Sequence, residues 1–93
     1  MTPSDSVKVP LGRIVATPAA LGAVSQPDIV AALRRYAVGD WGDTTPDDRA
    51  ANDDALESNE RILSVYRSAN GTTFWVLTEA DRSVTTVLLP DDY

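Results

Sequence analysis

The sequence contains neither cysteine nor histidine. Without cysteine the chain cannot form a disulfide, offer a thiolate nucleophile or build a thiolate zinc site. Without histidine it lacks the commonest metal ligand and the side chain that most often transfers protons near neutral pH. Lysine occurs once, as Lys8, so a serine or threonine nucleophile has few candidate bases. These absences favour a protein that is not an enzyme and has no cofactor.

Long apolar runs are also missing. No stretch approaches the roughly 18 residues that span a bilayer, and the first residues show no basic region followed by an apolar run. The sequence therefore predicts a soluble, cytoplasmic protein. Its 93 residues are 43% hydrophobic and 24% charged, values typical of a globular chain with one core. We expect a single domain over residues 1–93, with residues 1–6 frayed.

Three helix-start signals follow one another in the first half of the chain. In each, a serine or threonine precedes a proline by one or two residues, so that a hydroxyl caps free amides and proline occupies the first turn. The signals lie at Thr17, Ser25 and Thr45, and they predict helices to about Ala23, from about Gln26 to Ala37, and to about Ser58. The third helix has a thin apolar side made of Ala51, Ala55 and Leu56.

The C-terminal third has the composition of β-strands. The segments RILSVYRS, TTFWVLTE and SVTTVLL are rich in β-branched and aromatic residues, and Asn70-Gly71 suits a hairpin turn. Arg13–Ala16 predicts an additional edge strand. The expected fold is α+β, with a three- to four-stranded antiparallel sheet, formed by a C-terminal meander plus the N-terminal strand, and two to three helices packed on one face.

The residues that face the helices are harder to assign. We expect the covered face to carry Leu63, Val65, Val87 and Leu89, with Trp75 or its neighbours Phe74 and Val76. A slip of one residue in register would exchange the two faces, so the choice between them stays open.

Acidic residues are concentrated in one window. Between positions 40 and 60 there are eight acids and one base, Arg49, so this window carries −7 while the remaining residues sum to +1. The eight acids are Asp40, Asp43, Asp47, Asp48, Asp53, Asp54, Glu57 and Glu60. A calcium loop would need donors at alternating positions, a glycine at the sixth and a glutamate at the twelfth, and this spacing does not match. No metal site is predicted.

Two interpretations of the acids stay open. In the first they form a solvated face, in which Asp47 and Asp48 favour the helix N-terminus and Arg49 pairs with Asp53. In the second they form a functional patch, because Asp53, Asp54, Glu57 and Glu60 repeat at spacings that place like charges together. Trp41, in the loop before the third helix, is either a core plug or an exposed anchor for a partner.

Three segments carry a resemblance to a known group of proteins. GDWGD, DRAANDDAL and TEADRSVTTVLLPDDY resemble a family of short, mostly uncharacterised bacterial and plasmid-borne proteins, some of which are labelled as restriction-system subunits. The resemblance covers roughly Leu11 to Tyr93 and implies no activity. In size and charge alone the chain is similar to the anti-CRISPR and anti-restriction inhibitors of phages and plasmids.

The leading hypothesis is a small acidic inhibitor that binds a basic, DNA-engaging surface of a bacterial CRISPR or restriction complex and competes as a DNA mimic. The eight acids and Trp41 would form its interface, without direct contact to nucleic acid or membrane. The alternative is a plasmid-maintenance or housekeeping adaptor that binds a protein through its sheet, with the acids serving solubility. A third hypothesis, a small hydrolase using two carboxylates, lacks any feature that fixes such a pair.

Overall fold

The structure is a computed structural model that describes residues 7–93. Four strands and three α-helices form this part of the chain. The expected fraying of residues 1–6 lies outside these described residues. In chain order the elements are β1 (Arg13–Ala16), α1 (Pro18–Ala23), α2 (Gln26–Ala37), α3 (Pro46–Ser58), β2 (Ile62–Arg67), β3 (Thr73–Thr78), β4 (Val84–Leu88) and a 3₁₀ turn (Pro90–Asp92). The predicted α+β class is confirmed.

Each α-helix begins at the hydroxyl that the sequence marks. Oγ1 of Thr17 accepts a hydrogen bond from the amide of Ala20 at 3.1 Å. Ser25 and Thr45 cap α2 and α3 in the same way, by accepting from the amide three residues later. The predicted helix limits are confirmed. The starts can be predicted because capping depends on residues three apart in sequence and not on the tertiary fold.

The sheet is mixed, which corrects the expected antiparallel sheet. Its strand order is β1-β4-β3-β2, in which β2, β3 and β4 form the predicted antiparallel meander. β1 instead runs parallel to β4, with Ile14 opposite Thr85 and Ala16 opposite Val87. The reason lies in the connection: three helices and the two meander hairpins separate β1 from β4, and a long crossover permits parallel pairing.

The face of β2 that packs against the helices is also different from the expected one. Ile62, Ser64 and Tyr66 are buried there, whereas Leu63 and Val65 lie on the opposite face and are half-buried. On the other strands the core face carries Phe74, Val76, Thr78, Thr85 and Val87. Hydrophobicity predicts the wrong face of β2 because the core face carries the polar Ser64, whereas the opposite face carries the aliphatic Leu63 and Val65.

Buried hydroxyl groups make this polar core face possible. The hydroxyl of Tyr36 lies 2.8 Å from Oγ1 of Thr78 and 3.0 Å from the carbonyl oxygen of Ile62. Oγ1 of Thr78 lies 2.8 Å from Oγ1 of Thr85. The hydroxyl of Thr85 in turn donates to the carbonyl oxygen of Leu11 at 2.7 Å. A chain of hydrogen bonds therefore crosses the core from α2 to the segment before β1, and it offsets the desolvation of these groups.

The C-terminal residues pack on the opposite face of the sheet. Tyr93 lies edge-on to Trp75, with the ring centroids 5.5 Å apart. Phe74, the neighbour of Trp75, points into the core, so the two aromatic residues of β3 serve different faces. None of the helices in residues 7–93 combines the length and the apolarity that a membrane crossing requires.

Candidate partner-binding surface

The orientation of α3 decides where the acids point. Asn52 and Ala55 are its buried residues, and Ala51, expected on the apolar side, is exposed. With 3.6 residues per turn, Asp47, Asp54 and Glu57 then fall on the side away from the sheet. We call these three exposed residues the acidic stripe; it extends about 15 Å along the helix at 1.5 Å per residue.

Asn52 fixes this orientation through the backbone of β2. Its Nδ2 donates to the carbonyl oxygen of Leu63 at 2.9 Å, and its Oδ1 accepts from the amide of the same residue at 3.4 Å. Two residues along the strand, the amide of Val65 donates to Oγ1 of Thr44, and the carbonyl oxygen of Val65 accepts from the amide of Asp43. The loop before α3 and α3 itself therefore cover the β2 edge of the sheet, so this edge cannot pair with a strand of a partner.

Trp41 is a core residue, which contradicts its use as an exposed anchor. Only 4% of its surface is exposed, and its ring packs edge-on against Tyr36 with centroids 5.6 Å apart. Its Nε1 donates to Oδ1 of Asp53 at 3.0 Å. The indole therefore attaches the loop before α3 to both α2 and α3, and Asp53 has a structural role that its position on the helix surface does not reveal.

Asp40 is neutralised by a neighbouring cation. Nε and Nη2 of Arg35 donate to its two carboxylate oxygens at 2.8 and 3.1 Å, and the amide of Gly42 donates to it as well. These contacts, above all the one with Arg35, lower the pKa of the Asp40 carboxyl below its ordinary value. Asp40 therefore contributes little to a field that would attract a cationic partner.

The other seven acids of the window form no ion pair with a described residue. Within residues 7–93 the ion pairs are Arg35–Asp40 and Arg61–Glu79, so seven of the eight acids in the window have no cation within 4 Å. The expected pair between Arg49 and Asp53 does not form, because Arg49 donates to the carbonyl oxygen of Gly42 and Asp53 accepts from Trp41. The like charges on α3 are therefore compensated less than the sequence suggests.

Arg82 is a structural cation in the turn between β3 and β4. Its Nη2 donates to the carbonyl oxygen of Ala55 at 2.8 Å, and its Nη1 donates to that of Glu60 at 2.7 Å. The carbonyl group of Ala55 belongs to the last turn of α3, and that of Glu60 lies two residues beyond the helix. A positive charge at this end interacts favourably with the helix dipole. No local sequence signal links positions 55 and 82, which only the sheet brings together.

The structure thus divides the nine residues expected at the interface. The acidic stripe, Asp47, Asp54 and Glu57, lies on one exposed side of α3. Asp48 sits four residues before Asn52, towards the sheet, and Asp43 and Glu60 are exposed on the loops that flank the helix. Asp40, Trp41 and Asp53 are engaged in contacts within the protein.

Within residues 7–93 the acids form no metal cluster and line neither of two surface cavities. Among the described residues no group of three or more aspartate or glutamate side chains is placed to hold a metal ion. A cavity of about 460 Å³ between β1 and α2 is lined mainly by aliphatic residues and contains none of the eight acids. No protein-family model, curated protein or solved structure matches the chain. The resemblance to plasmid-borne proteins therefore stays a prediction.

Proposed function

We propose that this protein is a non-enzymatic inhibitor that binds a basic protein surface through the acidic stripe and so competes with the nucleic acid that this surface normally holds. One observation supports the proposal above the others: the stripe is exposed, lies on a helix whose orientation is fixed by Asn52, and has no cation of residues 7–93 within 4 Å. A cationic partner would supply the missing counter-charge.

The energetics favour such a partner. Each pair of like charges three or four residues apart on a helix destabilises it by about 0.2–0.5 kcal/mol, and Asp53, Asp54 and Glu57 form two such pairs. Docking on arginine and lysine side chains relieves this repulsion, and the net charge of −6 accelerates the encounter with a basic surface. The same charge opposes direct binding to nucleic acid.

The partner class follows from size and charge. Duplex DNA carries one negative charge per roughly 1.7 Å of its axis, and surfaces that bind it are lined with lysine and arginine. A 93-residue acidic protein can occupy part of such a surface. We propose a nucleic-acid-binding subunit of a bacterial CRISPR or restriction complex as the partner.

Neutralising the stripe tests the proposal. The variant D47N/D54N/E57Q preserves side-chain size, and its control E79Q/D91N removes two acids that lie off α3. Tagged proteins would capture partners from a bacterial lysate at about 50 mM and about 500 mM salt, since exposed charge pairs are screened at the higher concentration. Each captured protein would then be titrated with labelled duplex DNA in the presence of each variant.

We expect the native protein and the control to displace DNA from the captured partner, and the stripe variant to do so at least about ten times less well. Capture should fall at the higher salt concentration. Equal capture by the stripe variant, or capture that salt does not change, would reject the acidic stripe as the interface and favour the adaptor alternative.

A further inference from the structure

The two edges of the sheet differ in how they are covered. Asn52, Thr44 and Asp43 satisfy the outer edge of β2. At the other edge, β1 pairs with β4 and with no other strand of the described residues. The amides of Arg13 and Thr17 donate inwards, to Ser83 and Val87. Backbone groups alternate in direction along a strand, so the amides of Ile14 and Ala16 point outwards, and no described residue of 7–93 pairs with them.

An apolar groove runs beside this open edge. Ile14 is 50% exposed, Leu21 63% and Val30 40%, and all three line the 460 Å³ cavity between β1, α1 and α2. Gln26 and Val30 also line an adjoining cavity of about 390 Å³ that reaches Arg34. Unpaired edge amides beside pockets for alternate side chains are the features by which proteins bind an added strand.

Charge indicates the chemistry of the occupant. Among the residues that the structure describes, no acidic one lines either cavity, and the adjoining cavity ends at Arg34. α2 ends beside Lys8 and Val9, whose amides donate to the carbonyl oxygen of Ala37, and these residues lead into β1. Arg34 near the end of α2 and Arg13 at the start of β1 therefore make the same end of the edge positive.

The opposite end of the edge is negative. Thr17, directly after β1, donates from its hydroxyl to Asp92 at 2.7 Å. A second copy of this chain paired in parallel would place Arg13 and Arg34 near like charges, and in either direction it would bring two proteins of charge −6 together. The edge thus favours a segment with aliphatic residues at alternate positions and acidic residues at one end.

We infer that the β1 edge and its groove form a second docking surface, which binds an extended segment of a partner protein by strand addition, with acidic residues of that segment meeting Arg34 and Arg13. This surface lies apart from the acidic stripe, and it does not depend on the proposed function of that stripe. In the adaptor alternative, in which the protein binds a partner through its sheet, this edge would be the contact surface.

Short peptides of defined sequence test the inference directly. The probes are two labelled hexapeptides with blocked ends, Glu-Glu-Val-Thr-Val-Thr and Thr-Val-Thr-Val-Glu-Glu, together with versions in which lysine replaces glutamate. A third version is methylated on alternate backbone nitrogens, which removes its capacity to form a strand ladder. Binding to the full chain is measured by fluorescence anisotropy, and the affected amides are located by ¹⁵N NMR.

One acidic peptide should bind at least about ten times more tightly than its lysine counterpart, and methylation should abolish binding. Shifts should concentrate at Ile14, Ala16 and Val30. R34Q should reduce the difference between acidic and basic peptides, whereas the stripe variant D47N/D54N/E57Q should leave peptide binding unchanged. I14P, which removes an outward amide and no bond to β4, should weaken binding more than I14T does.

Three results would overturn the inference: equal binding of acidic and basic peptides, unchanged binding of the methylated peptide, or shifts confined to α3. Dimerisation of the free protein through β1, seen by sedimentation and by concentration-dependent shifts at Ile14, would assign the edge to a second copy instead. If I14P fails to fold, the contrast between methylated and unmethylated peptides on the native protein still decides the question.

Discussion

The indole nitrogen of Trp41 donates a hydrogen bond to the carboxylate of Asp53 at 3.0 Å, so one acid of the candidate interface supports the core. Trp41 is almost fully buried, and Asp53 is exposed. A charge-reversal experiment that included Asp53 would therefore change both the surface and the packing of the loop before α3. For this reason the acidic stripe excludes Asp53.

Replacement of Asp53 should separate these two roles. D53A removes the acceptor of a buried N–H and should lower the free energy of unfolding by about 1–2 kcal/mol. D53N keeps an oxygen acceptor, so it should retain most of that stability although it removes the charge. Urea denaturation followed by tryptophan fluorescence measures both variants. Equal stability of D53A and D53N would show that the bond to Trp41 contributes nothing.

Asn52 should matter for stability and for solubility. N52A leaves the amide and the carbonyl oxygen of Leu63 without partners, which should lower the free energy of unfolding by about 1–3 kcal/mol. It also opens the β2 edge, so we expect concentration-dependent self-association in sedimentation experiments. D54A, on the exposed side of the same helix, is the control and should remain monomeric. An N52A protein as stable as the control would contradict this role.

Sequence reasoning succeeds here where structure is local. Thr17, Ser25 and Thr45 predict the helix starts because each hydroxyl meets an amide three residues away. It fails where a contact depends on distant segments. The parallel pairing of β1 with β4 and the burial of Ser64 both depend on how the helices cover the sheet, as does the bond from Trp41 to Asp53.

The candidate surface divides in the same way. The concentration of acids is visible in the sequence, but which acids are free is not, because Asp40 meets Arg35 through a turn and Asp53 meets Trp41 across a loop. The sequence contains one weak sign that Asn52 is buried: it lies three residues before Ala55, which is the spacing of residues on one side of a helix. A polar residue in that position indicates a buried hydrogen bond when the apolar side is otherwise too thin.

Gly42 holds the loop before α3 against β2. Its φ angle is +65°, and a Cβ atom there would lie 2.5 Å from the ring of Tyr66 and from the carbonyl oxygen of Val65. G42A should therefore lower the free energy of unfolding by more than about 2 kcal/mol. The matched control is G22A in α1, where nothing lies within 4 Å and alanine should stabilise the helix by up to about 1 kcal/mol. Similar midpoints of thermal unfolding for the two variants would contradict the expected clash.

Stability should fall at alkaline pH. Burial raises the pKa of Tyr36 from its ordinary value of 10.0 to about 12 and raises that of Tyr66 further. Between pH 10 and pH 12 the unfolded chain therefore releases the Tyr36 proton while the folded chain keeps it, so the free energy of unfolding decreases as pH rises through this range. The loss of stability from Tyr36 amounts to about 2 kcal/mol by pH 12, because the folded chain itself begins to lose the proton there.

Urea denaturation at intervals from pH 8 to pH 11 checks this behaviour. Y36F should reduce the decline above pH 10, because phenylalanine has no proton to lose. At pH 8 it should be less stable than the native protein by about 1–2 kcal/mol, since the partners of the hydroxyl, Thr78 and the carbonyl oxygen of Ile62, lose a contact. An unchanged decline in Y36F would exclude Tyr36 as its source.

The charges on α3 should lower the stability of the free protein. Asp54 and Glu57 are three residues apart, and Glu57 also lies near the negative end of the helix dipole. E57Q should therefore raise the free energy of unfolding by about 0.2–0.5 kcal/mol at low salt, and the gain should vanish near 1 M salt, where charge repulsion is screened. D91N, which removes a charge off the helix, is the control. If E57Q stabilises the protein equally at both salt concentrations, repulsion within the stripe is not the cause, and the argument for a cationic partner loses its energetic basis.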